Sequence, residues 1–225
     1  MPLDILSARP MMQGALQSTI VPAGYLLGLE TLGEAMKDKE LRQFFGHTLL
    51  HEIMPCVDLP KGELEQLAMA LCREMEGPLA RQPLLSFLQN GIRAWAAQVL
   101  PILEAYEKKN FALPPCLCFG LSVLIMFYAG ARKNAEGAYE GVREGKTYPV
   151  EESEETLLAF SRFSCDMPPE MLAYAVLSDQ DIWEKDLREI EGLETLIAGQ
   201  LQDLQLIGLR AAMEKAWKMA AEMEG

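Results

Sequence analysis

The sequence predicts an all-α domain with a single core. Three observations carry this reading. Apolar residues recur at three- and four-residue spacing in nearly every segment, and no run alternates convincingly like a strand. Half of the 225 residues are hydrophobic, so a substantial core can be buried without disulfides or metals.

The elements follow in order. After the opening helical stretch, Leu41, Phe44, Phe45, Leu49 and Ile53 share one helix face and point inward. In "DLPKGELEQLAMALCREMEG" Pro60 marks a helix start and Gly77 its end. "PLLSFLQNGIRAWAAQVLPILEAYEKK" is expected to be one long helix kinked at Pro101. Pro114 and Pro115 then start an uncharged helix that stops near Gly130. Its length of about 15 residues spans roughly 22 Å, at 1.5 Å per residue. A bilayer core needs about 20 residues, so this segment is expected to be the central buried helix of a bundle. The Gly- and charge-rich stretch 131–155 reads as a loop with at most a short helical turn. Two shorter helices are expected near 152–163 and 169–177. A long one follows over 193–222, with Leu193, Leu196, Ile197, Leu201, Leu204, Ile207 and Met213 inward.

A net charge of −13 argues against nucleic acid or an anionic membrane as partner, because both require a basic face. Five cysteines (Cys56, Cys72, Cys116, Cys118 and Cys165) form no regular framework and read as reduced thiols of a cytoplasmic protein. No signal peptide is visible at the N-terminus. Gly137, Gly141 and Gly145 lie in a charged stretch with no strand before them, so they are not a dinucleotide fingerprint.

Only two histidines are present, His47 and His51. They share a helix face and Glu52 follows them. A zinc-protease helix would place Glu directly after the first His, where Thr48 stands. No third ligand suggests itself, and the expectation is no metal site.

Six stretches stand out: "VPAGYLLGLETLGEAM" (21–36), "HEIMPCVDLPKGELE" (51–65), "VLPILEAY" (99–106), "LPPCLCFGLSVLIMFYAG" (113–130), "GKTYPVEE" (145–152) and "WEKDLREIEGLETLIAGQL" (183–201). Together they resemble the tagaturonate reductases (altronate oxidoreductases) of the polyol-specific long-chain dehydrogenase family, which includes mannitol dehydrogenase. The resemblance covers only the family's helical C-terminal domain, over residues 11–225, with 1–10 as an N-terminal extension. It implies that a complete enzyme carries a Rossmann domain supplying NAD(H), over which the helical domain closes on a sugar acid.

The resemblance also implies a first helix bearing a Lys, an Asn five residues on and a His three further. One alignment puts these on Ala8, Gln13 and Leu16, the other on Arg9, Gly14 and Gln17. Neither carries the three side chains. Lysine can be brought toward neutrality by burial, whereas arginine stays charged. The family's basic residues on the helix before "VLP" are also reduced to Arg93. Substrate-facing candidates are therefore Gln13, Gln17 and Arg93, in a pocket with no catalytic residue, no cofactor-binding residue and no metal ligand. Three readings stay open: a separate or truncated substrate domain inactive alone, an interaction or self-association module, and half of a split enzyme completed by a Rossmann chain.

No segment can form the strand–loop–helix unit that holds a pyrophosphate. Titration of the chain with NADH, followed by nicotinamide fluorescence, is therefore expected to be flat. Saturable micromolar binding would reveal a nucleotide site that the sequence does not show.

Overall fold

The computed structural model describes the backbone of residues 5–223 and the side chains of 8–223. Helix α1 (Ile5–Leu26) opens the fold, so residues 5–10 continue this helix, and Ala8 is already fully buried. Residues 1–4 of the expected extension lie outside the described residues. Helix α2 (Leu32–Lys37) begins with a reciprocal cap between Thr31 and Glu34. Asp38 closes α2 and caps α3 (Lys39–His47).

A π-helical turn (Thr48–Ile53) and a 3-10 turn (Met54–Cys56) lead to α4 (Lys61–Glu76). Leu41, Phe44, Phe45, Leu49 and Ile53 are all buried, as their spacing predicts. Pro60 and Gly77 bound α4 as expected.

The expected long helix over 83–109 is three pieces: α5 (Leu84–Phe87), α6 (Gly91–Gln98) and α7 (Leu100–Asn110). Asn90 adopts a left-handed conformation, φ 54°, and its N–H turns to the Glu151 carbonyl. That breaks the first junction. At the second, Pro101 cannot donate to the carbonyl four residues back, and α7 restarts at Leu100.

Helix α8 (Pro115–Tyr128) is buried along nearly its whole length and packs on α1 and on the last helix. Among the described residues no helix is long and apolar enough to cross a membrane.

The stretch read as a loop instead contains an antiparallel sheet of β1 (Arg132–Lys133), β2 (Tyr139–Arg143) and β3 (Lys146–Pro149), in that order. Glu144 and Gly145, both with positive φ, join β2 to β3, as a tight hairpin requires. The period-two signal is hidden because one inward slot is Gly141. A Cβ there would lie 2.3 Å from the Tyr148 ring, so a glycine stands where an apolar side chain would have announced a strand.

Helices α9 (Glu154–Phe160), α10 (Pro169–Ser178) and α11 (Gln180–Trp183), then a 3-10 turn (Leu187–Glu189), lead to α12 (Leu193–Glu222). The last helix is kinked at Gly208, with φ 78° and ψ 167°. The kink resets the helical phase. Leu193, Ile197 and Leu201 are buried before it and Ala212, Met213, Ala216 and Ala220 after it, while Ile207, expected inward, is 49% exposed.

Phe127 of α8 is 1% exposed, stacks on Tyr148 at 4.9 Å and meets the edge of Tyr25 at 5.9 Å. Phe127→Ala is expected to cost about 3–5 kcal/mol in urea unfolding. A loss below about 1 kcal/mol would place α8 at an edge of the core.

Candidate functional site

The face of α1 that matters is set by what it packs against. Gly14 meets α6 so closely that a Cβ would lie 1.7 Å from Gln98 Oε1. Between α1, α6 and α8 lies a small cleft of about 40 Å³, whose walls include Gly14, Gln17, Phe87, Trp95, Gln98 and Leu124. Gln17 is half-buried, and Trp95 is 1% exposed with its ring against Trp183 at 5.4 Å. Gln17 Nε2 and Trp95 Nε1 are both buried donors with no hydrogen-bond partner. Most buried donors are satisfied, so two orphans among the residues of one cleft wall set this part of the packing apart.

Of the three candidates from the sequence, the structure brings only Gln17 into this cleft. Gln13 is half-buried one turn earlier on the same face and is not a cleft wall. Arg93 is exposed on α6 and also stands outside it. Its backbone N–H and that of Ile92 point to Glu152 Oε2, at 3.4 and 2.9 Å. Burial raises the Glu152 pKa, opposed by those N–H groups, by Ser153 and by the Arg93 charge. Glu152 thus supplies the acceptor that the first turn of α6 needs.

The two alignments of the first helix are now distinguishable by position. Ala8 and Leu16 are fully buried in the core. Gly14 and Gln17 face the cleft, while Arg9 is ion-paired with Glu74 of α4. Among the described residues, no acid, base, thiol or imidazole lines the cleft.

A second constellation was missed by sequence reasoning. His47, Glu52 and Cys116 converge, with one ligand atom from each lying within 4.8 Å of the others. The sequence did single out His47 and Glu52. Its third member comes from the start of α8, 64 residues from Glu52, and nothing local to the histidines announces it.

Residues 11–205 match the mannitol dehydrogenase C-terminal domain. The chain belongs to this family. It is 35% identical over 202 residues to the altronate oxidoreductase of Klebsiella pneumoniae and 33% identical over the same length to that of Pectobacterium carotovorum. Each match covers 88% of this chain and 40% of the relative, so the chain spans about two-fifths of the length of these enzymes. Among solved structures, the domain is similar to a mannitol 2-dehydrogenase of Pseudomonas fluorescens, solved with NAD and D-mannitol. The TM-score there is 0.76 at 10% identity, covering 96% of this chain and 42% of that one. A D-sorbitol dehydrogenase gives a TM-score of 0.67 at 16% identity, covering 92% and 40%. At these identities the structural likeness concerns the fold.

The orphaned amide of Gln17 generates a test. Replacing a buried, unpartnered donor by an apolar group of similar shape removes a desolvation cost of about 1–3 kcal/mol. Gln17→Met is expected to raise unfolding stability by about 1 kcal/mol. A loss of that size in urea denaturation would show that the amide is satisfied in solution.

Proposed function

We propose that this chain is the helical substrate domain of a tagaturonate-reductase-like, NAD-dependent oxidoreductase of hexuronate metabolism, located in the cytoplasm and with no catalysis of its own. The observation that carries this reading is the cleft beside α1. Its walls keep amide and indole donors for an acceptor oxygen, and no group among them can exchange a proton. Reducing a ketone by hydride transfer needs a proton donor at the carbonyl oxygen, and the reverse reaction needs a base. Glutamine and tryptophan can polarise an oxygen but supply neither. The sugar acid is the substrate expected from the relatives' names, and the nicotinamide would come from the Rossmann partner.

Packing supports the same view. In the alignment that puts the Asn at position 14, Gly14 leaves the space into which Gln98 extends. A side chain at 14 and the present Gln98 side chain cannot occupy that space together.

A second reading, as a protein-interaction or oligomerisation module, rests on the groove between α3, the π turn and α4. It has a volume of about 540 Å³, and its walls include Phe45, Leu49, Leu50, Ala68, Met69 and Cys72. Leu50 and Met69 are 57% and 52% exposed. Apolar surface of this kind marks docking faces, and a Rossmann chain or a second copy would both suit it.

The deciding experiment mixes the unmodified chain with an isolated Rossmann domain of a family member, NADH and tagaturonate. No NADH oxidation is expected. Activity is expected only when Arg9→Lys, Gly14→Asn and Gln17→His are combined with Gln98→Ala, which clears the space at 14. Any one change alone is expected to give nothing, because proton donor, carbonyl polariser and hydride donor act as a unit. Turnover by the unmodified chain would show that another group, such as His47 or His51, reaches the substrate. The mass of the same mixture by light scattering separates assembly from catalysis.

A further inference from the structure

His47, Glu52 and Cys116 come from three elements and take no part in the α1–α6 cleft. His47 ends α3, Glu52 sits in the π turn, and Cys116 is the second residue of α8. Glu52 is 1% exposed, Cys116 is fully buried and His47 is half-buried. We propose that these three residues form a site for one divalent cation of the zinc class, with a fourth coordination position open.

The donor set selects the ion. Imidazole nitrogen, carboxylate oxygen and thiolate sulfur are the three ligand types of tetrahedral zinc sites. Magnesium and calcium prefer all-oxygen shells with six or more ligands, and a thiolate does not serve them. Ligand bonds of about 2.0–2.3 Å require the three donor atoms to draw somewhat closer than their present limit of 4.8 Å.

The surroundings already hold the ligands in place. Glu52 Oε1 accepts the N–H of Cys116 and Oε2 that of Leu117, both at 2.8 Å. The Cys116 thiol also hydrogen-bonds to Glu52 and would release its proton to solvent as the ion takes its place, while outer hydrogen bonds such as those from the two N–H groups orient a ligating carboxylate. The His47 ring stacks on His51 at 4.6 Å and meets the edge of Trp217 at 6.4 Å, which limits its rotation. Charge closes the argument. A dication with one carboxylate and one thiolate sums to zero, which suits a site this deeply buried. Before an ion binds, the Cys116 thiol hydrogen-bonds to Glu52, and with His47 within the same few ångströms the three donors are already gathered.

The test uses the whole chain, stripped with EDTA and exchanged into metal-free buffer. Titration with Co²⁺ is expected to give a thiolate-to-cobalt charge-transfer band in the near ultraviolet that saturates at one equivalent. Zn²⁺ is expected to abolish the band and to raise the melting temperature. Cys116→Ser should lose the band, while Cys118→Ser, equally buried on the same helix, should retain it. His47→Gln alters a half-buried position and serves if Cys116→Ser does not fold; it should weaken Co²⁺ binding by about tenfold or more. The site is overturned by the absence of a charge-transfer band in excess Co²⁺, by its persistence in Cys116→Ser, or by unchanged affinity in His47→Gln.

Discussion

The fold depends on satisfying the start of a helix that water cannot reach. Helix α8 is buried from Pro115 onward, and the first N–H groups of any helix lack partners within it. Two of them donate to one carboxylate, Glu52, which is itself almost wholly buried. A negative charge at this end is also favoured by the helix dipole. Deeper in, Gln200 of α12 donates to the Pro115 carbonyl and accepts from Ser122 Oγ. The most apolar segment of the chain is thus positioned by a few polar contacts reaching it from both sides. The π turn belongs to the same device, since Glu52 lies within it and the i→i+5 winding alters the angular placement of its residues.

Around that helix the rest is arranged by size. The close approach of α1 and α6 follows from Gly14 and is filled by Gln98. The result is a scaffold with the architecture of the mannitol dehydrogenase C-terminal domain and a cleft that is polar without being ionisable. The aromatic cluster of Tyr25, Phe127, Tyr128 and Tyr148 is built without the cleft side chains.

What could be read from the sequence was what periodicity encodes. The α8 helix, the inward face from Leu41 to Ile53 and the limits of α4 were legible because each is a local pattern with local stop signals. The sheet was not, because Gly141 occupies an inward slot and the hairpin turn is Glu-Gly, a weaker signal than Asn-Gly. The breaks at Asn90 and Gly208 were hidden in otherwise helical spacing. For the site, the first helix could be read and with it the position of Gln17, whereas composition alone does not say which face of α6 turns outward, so the place of Arg93 outside the cleft was not legible. Cys116 could be joined to His47 and Glu52 only by tertiary structure.

The kink at Gly208 has a consequence for packing. Because the backbone there resets the helical phase, the two lengths of α12 answer to different neighbours: α8 and α10 for the first part, and chiefly α3 for the second, where Arg210 pairs with Asp38 and Glu40. Asp203 and Lys215 pair across the joint and tie the two lengths together. The family match ends at residue 205, just before this glycine. Gly208 thus lets one continuous helix serve two packing directions, buttressing α8 with its first length and reaching α3 with its second.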